Sequence, residues 1–360
     1  MMSVKPVLIM AGGTGGHVFP ALAVADELRS RGVPIVWLGT RNGIEARVVK
    51  QAGYQIEWLS ITGLRGKNAA TLLLAPFRLV MACTQAFRVL WQRKPAAVLG
   101  MGGFTAGPGG LMAWMMRRPL LIHEQNAVAG LTNRILARLA DEVLEAFPQT
   151  FIKKARTVGN PVRKQIQQLS DPRMRIGSHT GALRVLVIGG SLGAVRLNEI
   201  VPEAVNRIAA GARPEILHQT GLANLEMTQQ LYQRHGVDAR IEAFIEDMAE
   251  AYGWADLVIC RAGAMTVFEL AAAGVGSILV PYPHAVDDHQ TANAQYLEKA
   301  GGAIVRQQHE LSSEWLSDTI RQMTQQRDTL VKMATAARSM AKPEAAKEVA
   351  DRCMQTGGLA

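Results

Sequence analysis

Apolar residues in this chain fall in short continuous runs, each followed by a turn and then by a segment with helical periodicity. In the first half the runs cover residues 6–9, 35–39, 55–59, 96–100 and 120–124, with helices expected over 18–28 and through 45–49. In the second half they cover 184–188, 215–218, 240–244, 257–260 and 277–280. Uninterrupted runs, rather than alternation, predict strands buried on both faces, and strands alternating with helices predict a parallel sheet covered on both sides. A polar segment at 170–181 separates the halves, and from 312 to 350 the pattern is helical, with Pro343 as the breaker. The expected architecture is α/β: two Rossmann-like domains, 1–163 and 164–343, with a terminal helix at 344–360 packing back on the first. Ligands then bind at the carboxyl ends of the strands, in a cleft between the domains.

Each half opens with a strand, a glycine turn and a helix. The first turn reads Gly12-Gly13-Thr14-Gly15-Gly16-His17 and the second Gly189-Gly190-Ser191-Leu192-Gly193. Such a turn is either a tight βα corner or a place where backbone N–H groups point at an anion. His17 adds a side chain whose charge switches near neutral pH. Neither turn is a dinucleotide fingerprint: counted from Gly13, the position of the third glycine holds Val18, and no acidic residue ends the second strand. The P-loop signature is absent as well, which disfavours NAD, FAD and Walker-type ATP binding.

Cys260-Arg261-Ala262-Gly263 ends another strand, and a helix is expected to start near Thr266, with a diphosphate at its N-terminus. Glu269, three residues on, either accepts from two sugar hydroxyls or serves as the capping-box partner of Thr266. His284, Asp287, Asp288 and His289 lack a trustworthy metal-ligand spacing and suit polar contacts to a sugar better. His123 and Glu124 end a strand of the first half, either as a structural pair or as substrate contacts.

Composition sharpens this picture in three ways. With 48% hydrophobic and 19% charged residues the 360-residue chain is globular and long enough for two cores. A formal net charge of +9 points to an anionic partner, and 5% aromatic content with scattered basic residues disfavours nucleic acid. Cys83, Cys260 and Cys353, odd in number and far apart, suit thiols in a reducing compartment, and residues 1–5 run into the first strand without a signal peptide. The apolar stretch 69–87 is interrupted by Pro76 and Arg78 and flanked by Arg65, Lys67, Arg88, Arg93 and Lys94. It is either a core helix with a solvated rim or an element lying on an anionic membrane.

Several longer motifs resemble one family: GGTGGHVFPALAVA from Gly12, GLRGK from Gly63, GMGGFTAGPGG from Gly100, HEQNAVAGLTN from His123, VGNPVR from Val158, GGSLGAVRLN from Gly189, CRAGAMTVFELAAAG from Cys260 and VPYPHAVDDHQTANA from Val280. The chain is similar to the MurG family of bacterial glycosyltransferases, which join UDP-GlcNAc to a lipid-linked acceptor. The resemblance implies a GT-B fold and inverting transfer of GlcNAc to the C4 hydroxyl of lipid I (undecaprenyl-pyrophosphoryl-MurNAc-pentapeptide), giving lipid II for peptidoglycan. It also implies a peripheral position on the cytoplasmic face of the inner membrane, with no cofactor and no metal. Implied UDP-GlcNAc contacts are Thr14, Gly15, Gly16, Asn126, Arg163, Ser191, Ile245, Ala264, Met265, Thr266, Val267, Phe268, Glu269 and Gln290. Ile245 would meet the uracil through its backbone, Glu269 the ribose, and Gln290 with Asn126 the GlcNAc hydroxyls. The candidate general base is His17, with Glu124 as its rival. Leu192 and Phe268 depart from the family pattern. A UDP-GlcNAc 2-epimerase, another glycolipid synthase on the same scaffold and a non-catalytic membrane scaffold are the alternative readings.

Overall fold

The computed structural model of the chain describes residues 4–61, 74–151, 155–190 and 193–359. They form two compact units, residues 1–163 with 342–360, and residues 164–341. The continuous apolar runs fold as parallel strands.

In the first unit the strands are β1 (Val7–Met10), β2 (Ile35–Gly39), β3 (Gln55–Trp58), β4 (Ala97–Gly100), β5 (Leu120–Glu124), β6 (Glu142–Glu145) and β7 (Ala155–Thr157), in the order β3-β2-β1-β4-β5-β6-β7. The helices are α1 (Gly15–Ser30), α2 (Glu45–Gln51), α3 (Ala75–Arg93), α4 (Ala106–Met115) and α5 (Leu131–Leu136). Successive strand side chains point to opposite faces, so β1 feeds two cores. Val7 and Ile9 join Trp37, Leu99 and Leu121 beneath Ala21, Val24 and Leu28 of α1. Leu8 and Met10 join Leu38, Val98 and Ile122 beneath Ala86 and Leu90 of α3 and Ala113 of α4. The last helix of the chain, Ala345–Thr356, lies against α1 and adds Val349, Ala350 and Cys353 to the first core. Arg31 pairs with Asp351, and Arg352 with Glu142, along that seam.

Strands β6 and β7 have no counterpart among the sequence-based runs. In β6 two glutamates bracket Val143 and Leu144, so no apolar run of four exists. Glu145 is nevertheless buried, because its carboxylate accepts from the Gln149 and Phe151 amides and the Thr157 hydroxyl.

The second unit carries α6 (Lys164–Gln167), α7 (Pro172–Gly177), β8 (Arg184–Ile188), α8 (Val195–Asn206), β9 (Glu215–Gln219), α9 (Leu225–Arg234), β10 (Arg240–Glu242), α10 (Met248–Trp254), β11 (Leu257–Cys260), α11 (Ala264–Ala273), β12 (Gly276–Leu279), α12 (His289–Glu298) and β13 (Ala303–Val305), then α13 (Ser313–Gln325) and α14 (Arg327–Ser339). Its sheet is also parallel, in the order β10-β9-β8-β11-β12-β13. The helical pattern read over 312–350 is therefore broken twice, at Gln326 (φ −119°, ψ 62°) and again around Pro343. The break at Gln326 lets Ile320 and Met323 of α13 and Leu330 and Met333 of α14 enter the same core. In both sheets the chain leaves the first strand in one direction and returns on its other side. The reversal lies between β1 and β4, and again between β8 and β11, and open α/β sheets bind ligands at such a point.

Candidate active site

At the reversal point of the first unit, β1 ends at Met10 and α1 begins at Gly15, with Thr14 in an extended conformation as N-cap. The Thr14 hydroxyl makes no capping bond, and Pro20 inside α1 deprives the Gly16 carbonyl of its helical donor. The Gly13 amide does point at an anion, but the anion belongs to the chain. Glu45, fully buried at the start of α2, accepts from Gly13 N–H at 3.0 Å, from Thr40 N–H at 2.9 Å and from the Thr40 hydroxyl at 2.7 Å. Gly12 leaves room for it, since a Cβ there would lie 2.6 Å from Glu45 Oε1. The expectation of an external anion at the first turn is corrected at Gly13: a carboxylate already fills that position, and a second anion beside it is repelled. Glu45 was missed because α2 reads as an ordinary amphipathic helix.

Beyond the turn, His17 Nδ1 lies 2.7 Å from Gln125 Oε1. Gln125 Nε2 in turn reaches His123 Nδ1 at 2.9 Å and the His123 carbonyl at 3.0 Å, and His123 Nε2 donates to the Gly159 carbonyl at 2.9 Å. His123 is fully buried, and burial pushes its pKa down to about 4. Glu124 ends the same strand but faces a cage of donors. Its Oε1 accepts from the Asn126 amide (3.0 Å) and side chain (3.2 Å), and its Oε2 from Gly130 N–H (3.1 Å) and Asn133 Nδ2 (2.9 Å). Four donors meet the lone pairs of both carboxylate oxygens. In this structure Glu124, the rival candidate base, anchors the 126–133 loop. Arg163, the last residue of this stretch, lies over the Phe19 ring of α1 at 5.3 Å.

The corresponding turn of the second unit is built with a neutral side chain. Gln219, at the end of β9, accepts from Gly190 N–H at 3.0 Å and donates to the Gly190 carbonyl at 2.9 Å, and Gly193 N–H closes the turn on Gly190 O. Ser191 and Leu192 lie outside the described residues. Across the reversal point α11 starts at Ala264, two residues earlier than the sequence suggested, with Gly263 as N-cap. Glu269 is therefore the sixth helical residue, too deep for the capping-box reading with Thr266. It is buried (6% exposed) and accepts from the Tyr252 hydroxyl of α10 at 3.2 Å.

The same shift fixes how two of the residues named as contacts lie. The Val267 amide donates to Gly263 O, and its side chain is buried, while the Phe268 ring lies in the interior against Tyr296, centroids 5.2 Å apart. Ala264 and Met265, also buried, bring backbone to the helix N-terminus, and Thr266 is half-exposed there. Gln290 Oε1 accepts from Ala262 N–H (3.2 Å) and Tyr282 N–H (2.9 Å), so only its NH2 is left to address a sugar oxygen. Arg261 secures the other side of this turn, donating to the Val280 and Pro281 carbonyls and to Gln308. Ile245 is buried between β10 and α10. Among the described residues, no three His, Cys, Asp or Glu side chains gather as a metal site.

A third feature lies on α3, α4 and α5, which pack in succession. Phe77, Val80, Phe87 and Trp91 of α3, Trp114 and Met115 of α4, and Leu131 and Ile135 of α5 are all exposed, Phe77 at 74%. Of the earlier apolar stretch, 69–73 and the motif at 63–67 lie outside the described residues. From Leu74 to Ala140 the single acidic residue is the buried Glu124, against eight Lys and Arg. No helix among the described residues is long and apolar enough to cross a membrane.

Two parallel Rossmann-like units, each with a glycine turn at the reversal point of its sheet, define the GT-B class of glycosyltransferases. Within that class the chain belongs to glycosyltransferase family 28: the model of the family's N-terminal domain matches residues 7–145 and that of its C-terminal domain residues 184–349. It is 55% identical over 351 residues to the UDP-N-acetylglucosamine--N-acetylmuramyl-(pentapeptide) pyrophosphoryl-undecaprenol N-acetylglucosamine transferase of Nitrosococcus oceani, covering 97% of this chain and 98% of that one. It is 56% identical over 357 residues to the enzyme of the same name from Methylococcus capsulatus, covering 98% and 99%. Among solved structures, Acinetobacter baumannii MurG superposes with a TM-score of 0.84 at 43% identity, covering 98% of this chain and 99% of that one.

Proposed function

We propose that this enzyme transfers GlcNAc from UDP-GlcNAc to the C4 hydroxyl of the MurNAc-pentapeptide carried on undecaprenyl diphosphate, with inversion at C1. The observation that carries the proposal is the end-to-end match, above 50% identity, to enzymes named for that reaction.

The contrast between the two glycine turns supports the division of labour. The first turn is already neutralised by Glu45, whereas the second is braced by the neutral Gln219 and sits across from the N-terminus of α11. The donor diphosphate belongs with the second unit, where a ten-residue helix directs its positive end at the charge that grows as UDP leaves. Thr266 adds a hydroxyl there, and the sequence resemblance assigns Ser191 and, in the first unit, Thr14, Gly15, Gly16 and Arg163 to the same donor. Glu269, oriented by Tyr252, takes the ribose hydroxyls; Ile245 offers backbone to the uracil; the Gln290 NH2 and Asn126 read the GlcNAc. His17 removes the acceptor proton. The apolar and basic face of α3, α4 and α5 rests on the anionic cytoplasmic leaflet, where a polyprenyl-diphosphate acceptor resides.

A transfer assay with a lipid I analogue and UDP-GlcNAc tests the reading. Wild-type protein forms the disaccharide product, and His17→Ala loses most turnover while still binding UDP-GlcNAc. UDP-GlcNAc binding without any product from a competent acceptor would refute the assigned reaction.

A further inference from the structure

The hydrogen bonds that end at His17 can be read in one direction only. The Gly159 carbonyl can only accept, so the hydrogen of the neutral, buried His123 ring sits on Nε2. His123 Nδ1 is then a lone-pair acceptor, as is the His123 carbonyl beside it. The end of the Gln125 amide that meets both must be the NH2. The other end, Oε1, therefore faces His17, and at 2.7 Å an oxygen acceptor requires hydrogen on His17 Nδ1. His17 Nε2 is left with the lone pair. An imidazole in water prefers the opposite tautomer, so this assignment is imposed by the surroundings.

The ring is also backed sterically. Gly102 and Gly103, both at positive φ (89° and 76°), bring the β4 loop against it. A Cβ at Gly102 would lie 3.0 Å from His17 Cε1 and 3.1 Å from Nδ1.

We infer that Gln125 and His123 are positioning residues that hold His17 as a proton acceptor at Nε2, with the Gly159 carbonyl as the fixed end of the relay. The inference rests on the reaction proposed above only for the source of the proton. In that reaction Nε2 takes the proton of the acceptor hydroxyl as its oxygen bonds to C1. The C1–O bond to the diphosphate breaks, its electron pair leaves with UDP, and the imidazolium returns the proton to water. A neutral amide at residue 125 suits this cycle. It accepts from Nδ1 throughout, yet lacks the negative charge that would favour the imidazolium before the acceptor arrives.

The test reads the tautomer directly, in protein without substrates. Selectively 15N-imidazole-labelled protein is expected to show His17 as Nδ1–H and His123 as Nε2–H in long-range proton–nitrogen spectra. Gln125→Leu should release His17 toward the Nε2–H form and lower kcat by about 100-fold, within the range general-base catalysis spans, while KM for UDP-GlcNAc stays unchanged. Wild-type His17 in the Nε2–H form would overturn the inference, as would a Gln125→Leu protein with unaltered tautomer and kcat. Predicted tautomers in a protein that transfers no GlcNAc would defeat the assigned reaction and leave the relay standing.

Discussion

Glu45→Gln isolates the part played by the buried anion under the first glycine turn. The Glu45 carboxylate is fully buried, and its charge is met by two backbone amides and a hydroxyl rather than by a basic side chain among the described residues. In the glutamine variant the oxygen facing Thr40 survives, keeping the bonds at 2.9 and 2.7 Å. The other oxygen becomes NH2, and two donors then face each other where Gly13 N–H now sits 3.0 Å from Oε2. The loss of a charge-assisted bond and the stranding of a buried amide together cost about 2–4 kcal/mol. Relief from burying an anion offsets part of this, leaving about 2–3 kcal/mol. Through the relation of 1.36 kcal/mol per decade, the Gly13 amide should exchange with solvent roughly 30- to 150-fold faster than in wild type. Hydrogen–deuterium exchange of the peptide covering residues 8–16 measures this. A double-mutant cycle adds a second reading: Gly12→Ala, whose Cβ would lie 2.6 Å from Glu45 Oε1, should cost less when Glu45 is alanine. Exchange within twofold of wild type, or no coupling between positions 12 and 45, would refute the reasoning.

Phe77→Ser and Trp91→Ser each remove a large exposed apolar group, and each should weaken binding to anionic vesicles about 10- to 100-fold, in line with the ~1.5–3 kcal/mol of burying such a side chain. Vesicle co-sedimentation at two salt concentrations checks this; equal binding to neutral vesicles at high salt would count against the role of the basic residues. Buried histidines predict a pH response of both units. His123 in the first and His218 in the second titrate at about 4 and about 3, below the usual 6.5, because burial disfavours their charged forms. The unfolded chain therefore binds protons that the folded one refuses. The stability this confers is complete above pH 6.5 and falls as pH drops from 6.5 toward the folded values, by about 2 kcal/mol per histidine at pH 5. Calorimetric melting between pH 7.5 and 5 should show both units losing Tm, and a flat profile would exclude it.

Local order along the chain was enough to read the fold. Apolar runs such as 184–188 and 257–260 are strands because only a covered parallel sheet hides both of their faces. The glycine turns, His17 and the strand end at His123-Glu124 could be picked out for the same reason, since backbone conformation and residue type are properties of near neighbours. Short or polar-bracketed strands such as β6 and β13 could not, because their pairing partners supply what their own pattern lacks.

Roles at the site were a different matter. Glu124 and His17 look alike as candidate bases in sequence, and the difference between them is where hydrogen-bond donors fall: four surround Glu124, while His17 keeps a nitrogen clear of its relay. The start of α11 at Ala264 likewise turned Val267 and Phe268 inward and carried Glu269 beyond the reach of a cap. By itself the sequence determined two parallel α/β units, the positions of their glycine turns and the family to which they belong. Only the tertiary structure decided that the first turn holds an internal carboxylate and that Gln125 orients His17. Those contacts join residues 32 and 108 positions apart, and they exist only once the strand order brings the loops after β1, β2 and β5 to the same end of one sheet.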